Sequence, residues 1–275
     1  MHEQPIGALE RSGALYPDRL QRYEPGWVEP GPGVRVVVDR YWHVRWQLDQ
    51  PVQERIIDAP AVTLTIEDGD VPAPLMITGP STRAWQRTIG GRGRVFGVRL
   101  RPAGLGVVCD LPAEHLVDAA LPVTAHVDAR LHALLADIAR EQTVRARVRA
   151  ADALLGEALR QRPPGAGQLL ANRAIEELRV GLQTRTGQGL PRALGVSERP
   201  IQRALAATLG RGPKWVARRT RLQALALALA TTDEDLAELA SRLGYTDQAH
   251  LTRDFRAVAG LTPSQHRREL RTRPG

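Results

Sequence analysis

Hydrophobic and polar residues alternate with a period of two along the first 125 residues of the chain. The alternation is clearest from Val34 to Leu48, from Val62 to Ile66 and from Phe96 to Leu100, and it is typical of half-buried strands. Turns rich in Gly and Pro separate these runs. We therefore predict that residues 1–125 form a small β-barrel or sandwich.

Beyond residue 125 the hydrophobic period changes to 3.6, which favours amphipathic helices. Apolar residues fall on one face throughout residues 126–162, so this segment is predicted to be a helical connector. Its apolar face either packs against the β-rich domain or forms a seam between two copies of the chain. Residues 163–167 are a Pro/Gly cluster typical of a domain linker. Residues 168–275 are then an all-α domain, and the predicted fold class is α+β.

The all-α domain contains an internal repeat. Arg203 and Gly210 correspond to Arg253 and Gly260 at a spacing of 50 residues. Each copy combines a short apolar helix, a turn containing Gly and a second helix that ends at Gly-x-x-Pro, which is the layout of a helix-turn-helix motif. The Ala- and Leu-rich stretch Pro213–Thr231 joins the two copies. It is predicted to be one linker helix, about 28 Å long.

The second helix of each copy has a buried stripe and a polar face. In the first copy Ile201, Leu205 and Leu209 define the buried stripe. The polar faces carry Arg199, Gln202 and Arg203 in the first copy and Gln248, Thr252 and Arg253 in the second. Arg and Gln side chains pair bidentately with guanine and adenine edges in the major groove. One such face alone is usually just solvated, but two at matching points of a repeat favour DNA recognition.

The charge distribution supports this interpretation. The net charge of the chain is +8, and from Gly165 onward there are 18 Lys and Arg against 10 Asp and Glu. Residues 1–164 hold 20 of each sign. The asymmetry indicates that the C-terminal domain binds a polyanion. Four basic residues near the start of the linker helix are candidate phosphate contacts: Lys214, Arg218, Arg219 and Arg221.

Three motifs lie in the second half of this domain: LASRLGY at residues 239–245, DQAHLTRDFR at residues 247–256 and GLTP at residues 260–263. Through these motifs, residues 213–268 resemble the DNA-binding domain of AraC/XylS-type transcription regulators. The resemblance implies a domain of two helix-turn-helix motifs. It also implies that their second helices contact bases through the polar positions already named.

Single positions refine the resemblance. It implies that His250, next to the base-reading positions of the second motif, touches a phosphate. Three residues depart from the family pattern: His266 stands where an aromatic residue is usual, Ala249 where Ser is frequent and Leu251 where Phe is common. These departures bear on side-chain packing and on one base contact, and they leave the expected fold unchanged.

The N-terminal part resembles an uncharacterised sensor-like domain that precedes this motif in some bacterial regulators, through residues 42–46 and 98–102. The resemblance implies a cupin-like barrel that binds a small effector. Arg40 is in register with the apolar residues of its strand, so it either points inward or is rotated outward by a bulge. Pointing inward, it would anchor an acidic effector beneath Trp42 and Trp46, because aromatic walls with a few polar groups are typical of small-molecule pockets.

Other chemistry has little support in the sequence. The His residues of the N-terminal part are scattered and lack the His-x-His pair of a metal-binding cupin, so no metal is expected. Cys109 has no His or basic neighbour and is expected to be a buried, inert thiol. No cofactor motif occurs, and no catalytic residue is assigned. The longest apolar stretch, Leu222 to Ala230, is much shorter than a membrane span, and no signal segment is expected at the start of the chain.

We therefore predict a cytoplasmic bacterial transcription regulator that reads two adjacent major-groove segments of double-stranded DNA under the control of a small effector. RNA polymerase and a second copy of the chain are further candidate partners, and a membrane is not. One alternative is an enzyme whose N-terminal barrel performs chemistry while the C-terminal domain directs it to DNA. Another is a constitutive DNA-binding protein without an effector.

Overall fold

The computed structural model describes residue 15, residues 22–180 and residues 189–272. The first residues of the chain, which bear on the expectation about a signal segment, lie outside these ranges. The strands are β1 (Tyr23–Val28), β2 (Val38–Ile56), β3 (Thr63–Gly69), β4 (Leu75–Thr78), β5 (Trp85–Leu100) and β6 (Ala120–Pro122). The helices are α1 (Leu105–Val108), α2 (Ala129–Ala139), α3 (Val144–Gln161), α4 (Ala166–Val180), α5 (Leu190–Leu194), α6 (Glu198–Leu209), α7 (Pro213–Thr231), α8 (Leu236–Arg242), α9 (Gln248–Ala259) and α10 (Pro263–Thr272). Within the described ranges, each helix is too short or too polar to cross a membrane.

The strands form one antiparallel sheet of six strands in the order β1-β2-β5-β3-β4-β6. Helices α1, α2 and α3 pack on one face of this sheet and share its larger apolar core. From α4 onward the described residues form helices and connecting turns without strands. The predicted α+β class, with a β-rich part followed by an α-helical part, is confirmed.

Strand β2 begins at Val38, later than the alternation predicts, because residues 32–37 form consecutive turns. A bulge then shifts its pairing with β5 between Val38 and Arg40. The extra residue of a bulge exchanges the faces of the residues that follow. Tyr41 therefore enters the core beside Phe96, with ring centroids 5.8 Å apart. The tryptophans that follow on β2 point to the opposite face of the sheet.

On that opposite face, two tryptophans occupy space that glycines leave on β5. Trp42 is paired with Gly97, and Trp46 is paired with Gly93. A Cβ atom at Gly97 would lie 2.1 Å from the Trp42 indole, and one at Gly93 would lie 2.2 Å from the Trp46 indole. Any larger residue at Gly93 or Gly97 would therefore displace the indole ring packed against it.

Helices α2 and α3 lie in the segment predicted to be a helical connector. The Asp128 side chain accepts a hydrogen bond from Leu131 N, and the Thr143 side chain accepts one from Ala146 N. Both are N-caps of the usual kind. The apolar residues of the two helices are buried in the core of the sheet, so packing within the chain accounts for their amphipathic pattern.

The α-helical part has two smaller apolar cores that share α7. This helix spans Pro213–Thr231, the range that the sequence predicts for the linker helix. Its first half packs with α4 and α6 through Val216 and Ala217. Its second half packs with α8 and α9 through Leu225 and Leu229. One continuous helix therefore belongs to both cores.

Candidate nucleic-acid interface

The first helix-turn-helix motif consists of α5 and α6. Gly195 ends α5 with a left-handed backbone, φ 66°, which glycine adopts without steric cost. Ser197 is the N-cap residue of α6, as the sequence predicts, although its side chain makes no capping hydrogen bond. Ile201 and Leu205 are buried in the core that includes α4, so the opposite face of α6 is left to solvent.

Three predicted base-reading residues lie on this solvent-facing side of α6. Arg199, Gln202 and Arg203 are all exposed. Gln202 Nε2 donates a hydrogen bond of 2.8 Å to Glu198 Oε1, one turn earlier on the helix. The guanidinium groups present forked donors that match guanine O6 and N7. The fold therefore brings together the residues that sequence reasoning selected for this motif.

The second motif, α8 and α9, has the same construction. Asp247 caps α9, as predicted, because its Oδ1 accepts a hydrogen bond of 2.6 Å from His250 N. Leu251 and Phe255 are buried in a core shared with α7 and α8. His266 is fully buried beside Phe255, with ring centroids 5.7 Å apart. An imidazole ring thus fills the place where an aromatic side chain is expected.

The polar face of α9 is less uniformly open than that of α6. Gln248 and Arg253 are exposed, whereas Thr252 is half-buried. His250 is half-buried as well, and its ring meets the Tyr245 ring edge-on at a centroid distance of 5.2 Å. The second motif therefore presents two of its three predicted base-reading side chains fully to solvent.

The basic residues at the start of α7 fall into two groups. Lys214 is exposed, and Arg218 is half-buried with its Nε 3.0 Å from Asp254 Oδ1. Arg219 and Arg221 are buried, with relative exposures of 2% and 7%. The expectation that these two contact phosphate is wrong, because other elements of the chain cover the sides of α7 that carry them.

Arg219 forms an ion pair with Asp58 of the N-terminal domain. Arg219 Nε also donates a hydrogen bond of 2.9 Å to Asp58 O, and Nη1 donates one of 3.2 Å to Arg83 O. Burial raises the pKa of the Asp58 carboxyl to about 6, although the charge of Arg219 acts in the opposite direction. Sequence reasoning missed this pair, because no local pattern connects two residues that are 161 positions apart.

The residues predicted for effector binding lie on one face of the sheet, but Arg40 is engaged by other groups. Its Nη2 is 3.3 Å from Glu29 Oε1, and its Cζ lies 5.6 Å from the centroid of the Trp27 ring. Arg40 therefore points away from the main apolar core, which is the second of the two orientations that the sequence allows. The bulge between Val38 and Arg40 causes this orientation. Trp42 packs against Trp27 with ring centroids 6.3 Å apart. Trp46 is almost fully buried in a small apolar cluster on this face.

Two clefts open near Arg45 of β2. The hydrogen bonds that Arg45 donates to the Glu24 carboxylate hold the pKa of that carboxyl below its ordinary value. The first cleft, of about 270 Å³, is lined by Glu24, His43, Val44, Arg45, Arg94, Val95, Phe96, Gln142, Val144 and Arg147. The second, of about 500 Å³, is lined by Arg22, Tyr23, Glu24, Arg45, Trp46, Gln47 and Arg92. Both clefts combine arginines with an apolar or aromatic side chain.

Cys109 lies in the apolar core of the N-terminal domain. It is 2% exposed, and burial raises the pKa of its thiol to about 11. The thiol is therefore protonated at neutral pH, and the expected burial of this cysteine is confirmed.

Comparison with known protein families gives two matches. Residues 190–269 match a family described as a helix-turn-helix domain. Residues 27–122 match a domain of unknown function, DUF6597. No curated protein matches the chain.

The chain is also similar to several solved structures. For the C-terminal domain of AraT, a response regulator from Geobacillus stearothermophilus, the identity is 24%, the TM-score is 0.35, and the match covers 36% of this chain and 84% of that one. For a transcriptional regulator with an AraC-type DNA-binding domain from Chromobacterium violaceum, the identity is 22% and the TM-score is 0.36. That match covers 40% of this chain and 100% of the other. For ToxT from Vibrio cholerae, the identity is 9% and the TM-score is 0.44. That match covers 92% of this chain and 100% of the other.

The helix-turn-helix match extends from α5 into α10 and so contains both motifs. With the sequence motifs at residues 239–245 and 247–256, it makes the C-terminal region a helix-turn-helix domain of the AraC type. The protein is a DNA-binding transcription regulator whose N-terminal domain is of a kind without an assigned function.

Proposed function

We propose that α6 and α9 lie in successive major-groove segments of one DNA duplex and read its bases. The observation that carries this proposal is the exposure of Arg203 on α6 and of Arg253 on α9, at matching points of the repeat. In helix-turn-helix proteins the second helix of a motif enters the major groove and contacts base edges. The shared helix α7 is about 28 Å long, close to the roughly 34 Å between major-groove faces on one side of DNA.

The proposal gives the polar residues of this surface two roles. Base reading is assigned to Arg199, Gln202, Arg203, Gln248, Thr252 and Arg253. Contacts with the phosphate backbone are assigned to Lys214, Arg218 and His250. Among these three, Lys214 is the most exposed, so we expect it to contribute the largest backbone contact.

Selection of duplexes from a random library by the full chain tests the proposal. The expected product is a site of two half-sites whose centres lie about one helical turn apart. Affinity for this site is expected to fall steeply as salt rises, because phosphate contacts release counterions. Recovery of no enriched sequence would contradict the assignment of base contacts. A flat salt response would contradict the backbone contacts.

Matched variants sharpen this selection. The double variant Arg203→Ala with Arg253→Ala is expected to bind DNA without enriching the site. Arg140→Ala removes the same kind of charge from an exposed residue that pairs with Asp137 at 3.1 Å in the N-terminal domain. It is expected to select the same site as the natural chain.

We further propose that a small acidic molecule controls DNA binding from the first cleft. Asp68 holds Arg94 and Arg147 at the wall of this cleft, at distances of 2.8 Å and 2.9 Å. Phe96 and Val144 supply apolar surface beside them. Fixed guanidinium groups next to an apolar surface suit a carboxylate on a compact hydrocarbon body. The position beneath Trp42 and Trp46, beside Arg40, stays the alternative location for such a molecule.

Benzoate and its neutral counterpart benzamide are suitable probes, with Trp46 of the neighbouring cleft as a fluorescent reporter. Saturable binding of benzoate and none of benzamide is expected, together with a change in DNA affinity. Arg94→Gln is expected to abolish benzoate binding, whereas Arg149→Gln, at an exposed position of α3, is expected to preserve it. Equal binding of both probes would contradict an acidic effector.

The remaining partners follow from the same proposal. A regulator of this type acts where the bacterial chromosome is, in the cytoplasm, and the proposal assigns it no enzymatic activity. A second copy of the chain and RNA polymerase stay candidate partners. A constitutive DNA-binding protein is distinguished by DNA affinity that does not change with any acidic probe.

A further inference from the structure

The N-terminal domain touches the first helix-turn-helix motif through α4. Asn172 Oδ1 accepts a hydrogen bond of 2.9 Å from Ala103 N, and Asn172 Nδ2 donates one of 2.7 Å to Val36 O. Arg179, on the same helix, lies 3.0 Å from Asp39 of β2. Helix α4 and helix α6 share one apolar core. The N-terminal domain therefore holds the first recognition helix through α4 and also directly, because Arg211, just after α6, has its Nη2 3.6 Å from Asp118 Oδ2.

It touches the second motif at the end of the recognition helix. Ala84 N donates a hydrogen bond of 2.9 Å to Val258 O, near the end of α9. Arg55 Nη2 donates another to Ala259 O. The side chains of Ile57 and Ala84 are buried in the core of the second motif. Hydrogen bonds and apolar contacts thus hold the end of α9 to the end of β2 and to the residues just before β5.

A third contact lies near the middle of α7. Arg219 is paired there with Asp58, and one turn later Gln223 Nε2 donates a hydrogen bond of 3.1 Å to Ile57 O. The desolvation cost of a buried ion pair offsets much of its attraction, so such pairs contribute little net stability. Separating Arg219 from Asp58 while either stays buried would leave an uncompensated charge, so this pair opposes arrangements that pull the two domains apart there.

These contacts lie away from the polar faces assigned to DNA. Arg199 and Arg203 on α6, and Gln248 and Arg253 on α9, are exposed while the N-terminal domain is docked. Docking therefore leaves the recognition surface open. Any influence of the N-terminal domain through these contacts has to act on the geometry of the motifs and not on access to them.

We propose that the N-terminal domain sets the distance and angle between the two recognition helices, with Arg219 and Asp58 as the positioning pair. The inference rests on the proposed DNA-binding function. A helix pair that is joined by α7 and held by one domain at the end of α6, through α4, at the end of α9 and at the middle of α7 has a fixed separation. One added base pair moves a half-site by about 3.4 Å and rotates it by about 35°. The docked chain therefore discriminates between spacings of its half-sites.

The test measures binding of the full chain to three duplexes: the selected site, and that site with one base pair inserted or deleted between its half-sites. Arg219→Met keeps an unbranched apolar side chain at this buried position and removes the guanidinium donors. Asp58→Asn combined with Arg219→Met removes both charges, so no buried charge is left unpaired. Arg140→Met, at an exposed residue paired with Asp137, is the charge-matched control. Melting curves and an isolated half-site duplex complete the set.

The natural chain and the control are expected to bind the selected spacing at least ~10-fold tighter than the altered spacings. Both positioning variants are expected to bind all three duplexes within ~3-fold of one another, with unchanged affinity for the isolated half-site. Should both variants fail to melt cooperatively, Gln223→Ala, which loses only the bond to Ile57 O, is measured in the same way.

Two results would overturn the positioning role. One is that the folded variants keep the same ratio of affinities between the three spacings, even if their affinity falls equally at every spacing. The other is a natural chain that binds all three spacings equally. Failure of the proposed function itself looks different, because then no duplex is bound specifically at any spacing.

Discussion

The two recognition helices have the same length and different surroundings. Both α6 and α9 contain 12 residues. On α6 the three predicted base-reading residues are exposed, and the hydrogen bond between Gln202 and Glu198 stays within the helix. On α9, Asp254 pairs with Arg218 of α7, and His250 rests against the Tyr245 ring. One recognition surface is open, and the other is partly tied to its neighbours.

This difference indicates that the two motifs contribute unequally to DNA recognition. Helix α6 offers two exposed arginines, each able to pair bidentately with guanine, whereas the predicted contacts on α9 include one, Arg253. Because Thr252 is half-buried, the second motif has fewer exposed side chains that can contact a base edge. We therefore expect the first motif to discriminate more strongly between sequences. The second motif then contributes more through its orientation and its backbone contacts.

Arg203→Ala is the change with the largest expected effect. A bidentate pair between arginine and guanine is worth about 1–3 kcal/mol of discrimination, so specific binding is expected to weaken by roughly 5- to 150-fold. The measurement is a binding titration with the selected duplex and with random duplex. Arg140→Ala serves as the charge-matched control. Equal loss for both duplexes would make Arg203 a phosphate contact.

Arg253→Ala is also expected to weaken specific binding, but by a smaller factor, near the lower end of the range of roughly 5- to 150-fold. The reason is that α9 has fewer exposed partners to share in base reading. The same titration gives the ratio of the two losses. A larger loss for Arg253→Ala than for Arg203→Ala would reverse the proposed division between the motifs.

Lys214→Ala is expected to have the smallest effect and a different character. An exposed lysine at the start of α7 is assigned to a phosphate, so binding to all sequences is expected to weaken alike. The slope of log affinity against log salt is expected to fall by about 1. Titrations at several salt concentrations check this. Sequence-dependent loss would move Lys214 into the base-reading set.

Much of the C-terminal half could be predicted from sequence because its signals are local. The range of α7, the cap at Asp247 and the buried stripe from Ile201 follow from propensity, capping chemistry and helical periodicity. These rules act over a few residues. The exposure of Arg203 and Arg253 was predictable for the same reason, since a buried stripe defines the opposite face of its helix.

The features that sequence reasoning missed depend on packing between distant segments. A bulge between Val38 and Arg40 changes the face of the residues that follow on β2, and the alternating pattern alone does not contain it. Burial of Arg219 results from the N-terminal domain, whose Asp58 is far away in the chain. Clues did exist on β5, where Gly93 and Gly97 mark the places of the tryptophan rings. Reading them required the register of two strands.

A base-substitution scan of the selected site tests the central claim most directly. Affinities of the natural chain, Arg203→Ala and Arg253→Ala are measured for every single substitution in the site. Each variant is expected to become indifferent to the base at one position, and the two positions are expected to lie about one helical turn apart. Uniform loss of affinity across all substitutions in both variants would contradict recognition of DNA sequence by the two helices.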